Sequence, residues 1–196
     1  MISCKGTTNR CVVSKTNSIL YKSRGTLSRM LPVFIPVLIV IFINAFFLKL
    51  VIVEGDSMFP TLHNNSLLIV RQILYVPKPQ DIVLIKSDTR IINEDRIIKR
   101  IIAVEGQTVV VDYDNDIIMV DNVILEEPYI NHEQIDPLQD KFGIHNGIVK
   151  YEVPQGHVFV MGDNRNFSMD SRDDRVGMFR NEDVLGAVVM YIPLGT

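Results

Sequence analysis

Three short stretches of this 196-residue chain hold side chains whose types and spacing suit covalent hydrolysis. The first is Val53-Glu-Gly-Asp-Ser-Met-Phe-Pro-Thr-Leu62, in which Ser57 supplies a hydroxyl. A serine hydroxyl is a weak nucleophile until a base takes its proton. The second is Ile98-Lys99-Arg100-Ile101, a doublet of cations inside an otherwise apolar run flanked by Ile97 and Ile102. A lysine in such a run ordinarily points to solvent or pairs with an acid. Desolvation among these isoleucines would instead lower its pKa from ~10.4 toward neutrality and turn the amine into a base. The third is Gly162-Asp-Asn-Arg-Asn-Phe-Ser-Met-Asp-Ser-Arg172, dense in hydrogen-bonding groups directly after the hydrophobic run His157–Met161. By itself it reads as a well-satisfied turn. The four histidines, His63, His132, His145 and His157, sit in no comparably distinctive pattern, so a Ser-His-Asp triad stays open on composition alone.

Groups this far apart in sequence need a scaffold to bring them together. Short β-branched runs separated by turn residues predict strands at Ser66–Val70, Asp81–Lys86, Ile97–Val104, Thr108–Tyr113, Ile117–Val120, His157–Met161 and Val184–Ile192. Several are apolar almost throughout, which predicts burial on both faces within a coiled sheet or barrel. The alternating acids of Asp112-Tyr-Asp-Asn-Asp116 suggest a calcium loop, but Ile117 and Val123 stand where such a loop needs Gly and Glu. A hairpin turn fits better. The polar stretch from Glu126 to Lys150, with two prolines and two glycines, predicts a loop-rich insertion.

Charge divides the chain. Residues 1–30 carry six cations and no acid, whereas residues 51–196 carry all 23 acids and 13 cations. A nucleic-acid binder would place its cations on the folded domain, so no nucleic-acid partner is expected. Between the two lies Leu31–Leu48, 18 residues without a charge. As a helix it would cover about 27 Å, close to the bilayer core of roughly 30 Å. Lys49 would snorkel at the far interface, and Leu50–Val53 would extend the span of a tilted helix. No small-residue cleavage site follows, and the positive-inside rule puts the basic flank in the cytoplasm. Cys4 and Cys11 fall in that tail at a spacing unlike common zinc sites, and no metal is expected. The expected fold class is mainly β: an N-terminal single transmembrane helix, then a coiled β-sheet or barrel-like domain with a loop-rich β insertion. The expected divisions are a basic cytoplasmic tail at 1–30, an anchor at 31–50 and an extracytoplasmic domain at 51–196. A smaller inserted subdomain is expected near 106–155.

In this order and behind such an anchor, the three stretches resemble bacterial type I signal peptidases, membrane-bound serine proteases with a Ser-Lys dyad. Gly-Asp-Ser-Met-Phe-Pro-Thr-Leu is similar to the family's nucleophile box, Lys-Arg-Ile-Ile-Ala-Val to its base box, and Gly-Asp-Asn-Arg-x-x-Ser-x-Asp-Ser-Arg to its most diagnostic box. Glu127-Pro-Tyr129 also resembles a recurrent middle segment. The resemblance implies that Ser57 is the nucleophile and Lys99 the general base, with Ser168 hydrogen-bonding and orienting the lysine amine. It implies that Asp170 and Arg172 brace the site through an ion pair, and that Asp163 and Arg100 support it. The oxyanion hole would use the Ser57 backbone N–H, while the second-donor position, a Ser in some members, is Gly55 here. The family's Gly-Asp-x-Val segment appears as Gln80-Asp-Ile-Val83, and its Gly-Leu-Pro-Gly-Asp run as Ala103-Val-Glu-Gly-Gln107. The implied activity is removal of signal peptides from secretory preproteins at the outer face of the lipid bilayer, with no cofactor. Two other classes stay open. A self-cleaving Ser-Lys repressor would need a DNA-binding domain, and a non-catalytic relative serving assembly of surface proteins would lose the dyad.

Overall fold

The computed structural model describes residues 32–42, 47–88, 94–130 and 147–194. The basic tail, His132 and His145 lie outside these residues. The chain divides into two compact units, residues 1–44 and 45–196. In the first, residues 32–42 are helical and every one is exposed, nearly all of them large apolar side chains. Among the described residues no helix is long and apolar enough to cross a membrane.

The second unit is built of strands. A seven-stranded antiparallel sheet contains β1 (Leu48–Ile52), β2 (Leu67–Arg71), β3 (Ile82–Lys86), β4 (Arg96–Val104), β9 (His157–Met161), β10 (Phe179–Arg180) and β11 (Val184–Ile192). Their order is β1-β2-β11-β3-β4-β9-β10. Register shifts at Ile101/Ala103, Val184/Gly186 and Val188/Met190 interrupt the ladders, and bulges of this kind bend and coil a sheet. A second antiparallel sheet, ordered β7-β6-β5-β8, contains β5 (Thr108–Asp112), β6 (Ile117–Val120), β7 (Val123–Ile124) and β8 (Ile148–Glu152).

The structure corrects two boundaries. Leu48–Leu50, assigned from sequence to the anchor, and Val51–Ile52, assigned to its extension, form β1 and pair residue by residue with β2. The reason is a two-residue period: Leu48, Leu50 and Ile52 face solvent while Lys49 and Val51 are half-buried. Likewise Ile148–Lys150 belongs to β8 and not to a loop, with Val149 and Tyr151 turned inward. The expected hairpin between β5 and β6 is present. Asp112 closes it as a local cap, its Oδ1 accepting the N–H groups of Asp114 and Asn115 at 3.0 Å each.

Three buried clusters hold the domain together, and each touches a segment that later matters. Met58 and Leu62, immediately after the serine, are buried with Val53, Leu68, Val70 and Leu84. Burying side chains of this size contributes about 1.5–3 kcal/mol each. Met58 is therefore core, and the loop between β1 and β2 is anchored from beneath. Ile97 and Ile101 of β4 pack with Val83, Ile85, Val158 and Val160. Ile102 and Ala103 of the same strand, with Phe159 and Met161 of β9, join Val109, Val111 and Ile118 of the smaller sheet. Strand β4 thus runs between two apolar clusters, which accounts for the burial of Lys99 and Arg100, while Arg96 at its start is exposed.

Candidate active site

Ser57 sits in the loop that leaves β1, and the ends of that loop are tied together by Val53 N–H to the Ser66 carbonyl at 2.9 Å and Asn65 N–H to the Val53 carbonyl at 2.9 Å. Lys99 lies in the middle of β4, directly opposite Val83 of β3. The two meet: Lys99 Nζ is 2.8 Å from Ser57 Oγ. Lys99 is 4% exposed, and its pKa is lowered from the ordinary 10.5 to about 8. Loss of hydration is the largest cause; the charges of Asp170, Glu94 and Asp163 oppose it, and that of Arg172 assists. Both side chains open onto a cleft of about 580 Å³ walled by Val51, Val53, Met58, Leu84, Ile97 and Ile98, with Glu54, Glu94 and Asp95 also on its lining.

The 162–172 loop follows β9 and packs against the loop that carries Ser57. Asn164 N–H donates to the Ser57 carbonyl at 3.0 Å, and Asn164 Nδ2 donates to the Asp56 carbonyl at 3.0 Å. Gly162 marks the closest approach. A Cβ there would lie 2.3 Å from Ser168 Oγ and 2.4 Å from the Ser57 carbonyl oxygen, so only glycine fits. Its N–H donates to Asp170 Oδ2 at 3.0 Å. Burial works against the charge on Asp170, but the Arg172 guanidinium and the Gly162 N–H hold its pKa below the ordinary carboxylate value. Arg172 pairs with Asp170 through Nε at 2.9 Å and Nη2 at 3.0 Å. Arg100 makes a second buried pair, donating to Asp163 through Nε at 2.8 Å and Nη2 at 2.6 Å. Thr61 Oγ1 also donates to Asp163, at 2.5 Å, which ties the loop bearing Ser57 to this pair.

The structure therefore gathers Ser57, Lys99, Asp163, Arg100, Asp170 and Arg172 as the motifs suggested. Ser168 differs in one respect. Its hydroxyl is buried beside Gly162 and Ser57, yet it makes no hydrogen bond among the described residues, to Lys99 or to any other group. Gly55 has φ +84° and open space where a side chain would stand. Its N–H donates to Asn64 Oδ1 at 3.2 Å. The Ser57 N–H makes no hydrogen bond among the described residues. Asn64, Thr61, Asn164 and Arg165 were not singled out from sequence. Only their polar character within or beside the boxes marked them, and the partners of each lie elsewhere in the chain.

A serine hydroxyl held against a buried amine, both lining a cleft in an antiparallel domain, is an arrangement suited to a serine peptidase. Comparison with known proteins agrees. The family model described as signal peptidase, peptidase S26, matches residues 27–192. Signal peptidase I S of Bacillus subtilis is 32% identical over 183 residues, covering 89% of each chain. Signal peptidase I of Bacillus licheniformis is 36% identical over 159 residues, covering 79% of this chain and 81% of the relative. A crystal structure of a signal peptidase I from Enterococcus faecalis has a TM-score of 0.45 and 30% identity, covering 58% of this chain and 97% of that one. The chain belongs to the signal peptidase family, peptidase S26, and is a serine endopeptidase.

Proposed function

We propose that this enzyme removes N-terminal signal peptides from exported preproteins at small-residue sites, with Ser57 as nucleophile and Lys99 as general base. The observation that carries the reading is the 2.8 Å contact between Lys99 Nζ and Ser57 Oγ, made by an amine buried deeply enough to lose its proton near pH 8. Neutral Lys99 accepts the hydroxyl proton while Ser57 Oγ attacks the scissile carbonyl carbon. The resulting oxyanion is met by the Ser57 N–H. As the C–N bond breaks, the Lys99 ammonium gives its proton to the leaving amine, and an acyl ester remains on Ser57. Lys99 then deprotonates a water that attacks this ester, and the proton returns to Ser57 Oγ.

The remaining motif residues hold this geometry. Asp170 with Arg172 fixes the Gly162 peptide, and Asp163 with Arg100 ties the nucleophile loop to β4. Ser168, buried and without a partner beside them, orients the amine once it has left Ser57 Oγ. The apolar part of the cleft wall, formed by Val51, Val53, Met58 and Leu84, suits small uncharged side chains before the cut bond. In this reading the basic residues 1–30 stay in the cytoplasm, the apolar stretch after them lies in the bilayer, and the β domain meets its substrates on the outer face. The test is turnover of a preprotein in detergent. Ser57→Ala and Lys99→Ala should each lower kcat by at least about 1,000-fold with the fold intact by circular dichroism. Near-normal turnover in either variant overturns the assignment.

A further inference from the structure

Glu127 and Tyr129 belong to the turn after β7, outside all three motif stretches, yet both reach the site. The Glu127 carboxylate is bidentate on Arg165: Nη1 donates to Oε2 at 2.8 Å and Nη2 to Oε1. The two side chains are 14% and 3% exposed. Tyr129 Oη donates to the same carboxylate at 2.7 Å, and its ring lies under the Arg100 guanidinium, 3.7 Å from ring centroid to Cζ. Arg165 continues inward, donating from Nε to the Gly162 carbonyl at 3.1 Å, and its own carbonyl accepts Arg172 Nη2 at 2.7 Å. Arg100 is the neighbour of Lys99 and carries the pair with Asp163.

Resting on the Ser57–Lys99 reading, we propose that Glu127 and Tyr129 are positioning residues of the peptidase reaction. Through Arg165 and Arg100 they fix the Gly162 peptide, against which the Ser57 backbone is set, and the strand backbone beside Lys99. Two facts separate this from ordinary packing. The contacts end on backbone and guanidinium groups adjoining the reacting pair, not in one of the apolar clusters. In addition, a buried ion pair roughly breaks even in stability against an apolar substitute, so what it supplies is a fixed geometry. With Asp170 on its N–H and Arg165 on its carbonyl, Gly162 is held at both of its backbone polar groups.

The test measures kcat and KM of full-length enzyme in detergent on a preprotein for Glu127→Ala, Arg165→Ala, the double variant, Tyr129→Phe and Tyr129→Leu. A misplacement of the reacting groups by a fraction of an ångström to an ångström predicts a fall in kcat of about 10- to 100-fold for Glu127→Ala, with KM within about twofold. The double variant should fall no further than the worse single variant, because the two residues act through one another. Tyr129→Leu, which removes the face under Arg100, should cost more kcat than Tyr129→Phe, which removes only the hydroxyl. A lowered melting temperature with kcat within about twofold of wild type, at a temperature where the variants are folded, overturns the proposal, as do losses that multiply in the double variant. If Glu127→Ala does not fold, the two Tyr129 variants decide by the same criterion. Ser57→Ala and Lys99→Ala run alongside: turnover there sinks the dyad, whereas dead dyad variants with unaffected Glu127 and Tyr129 variants sink only this inference.

Discussion

The buried amine makes the pH profile the sharpest test of the proposed mechanism. At pH 7, a lysine with its ordinary pKa of 10.5 is neutral in about 0.03% of molecules, and one at about 8 in roughly 9%, a gain near 300-fold. If the neutral amine is the base, kcat/KM should climb about tenfold per pH unit below this midpoint and level off above it. The perturbation is Glu94→Gln. Glu94 is exposed on the cleft lining, and its charge favours the protonated amine, so its removal lowers the pKa of Lys99. Solvent screening limits the effect to less than about half a pH unit. The acid limb therefore moves down, and kcat/KM at pH 7 rises up to about threefold, while the midpoint rather than the plateau reports on Lys99. Initial rates on a preprotein in detergent between pH 6 and roughly pH 10 are the assay. A wild-type midpoint near 10.5, a rate that falls as pH rises through 8, or an upward move in Glu94→Gln would each refute the reasoning.

Two further outcomes follow from the same packing. Lys99 titrates lower in the folded than in the unfolded chain, so the unfolded state binds more protons between about pH 8 and 10.5, and stability rises with pH across that window. Below it the penalty is fully present, on the order of 3 kcal/mol, so Lys99→Met should raise the melting temperature by several degrees at pH 7, and less at pH 10, while abolishing turnover. Gly162→Ala drives a methyl into the Ser57 carbonyl at 2.4 Å and the Ser168 hydroxyl at 2.3 Å, and should lose both stability and nearly all activity. Gly156→Ala, where no atom lies within 4 Å, pays only for its φ of +73° and should keep most of its turnover, a contrast measured by thermal melts and initial rates.

Much of this was legible before any coordinates. The strands Ile117–Val120, His157–Met161 and Val184–Ile192 were readable to the residue, because each is a β-branched or aromatic run between turn residues. β1 was hidden because the apolar stretch before it runs straight into Leu48, and Val51, half-buried, masks the alternation. β8 was hidden for the opposite reason: exposed Ile148 and Lys150 break the pattern in an otherwise polar segment. Ser57 and Lys99 were recoverable from chemistry and resemblance together. The pairing of Glu127 with Arg165 was not, since a carboxylate and a guanidinium 38 residues apart carry no local mark of their burial. Nor does any local pattern show that Ser168 lacks a hydrogen-bond partner.

The strand order carries one more consequence. The loop bearing Ser57 joins β1 to β2, and Lys99 lies on β4 beside β3, but β2 and β3 are not neighbours. β11, last in chain order among the described strands, lies between them and pairs with both. The strands on the Ser57 side and on the Lys99 side of the sheet are thus sewn together by the described strand that comes latest in the chain. In the proposed mechanism, therefore, hydroxyl and amine face one another only once β11 has paired with both β2 and β3.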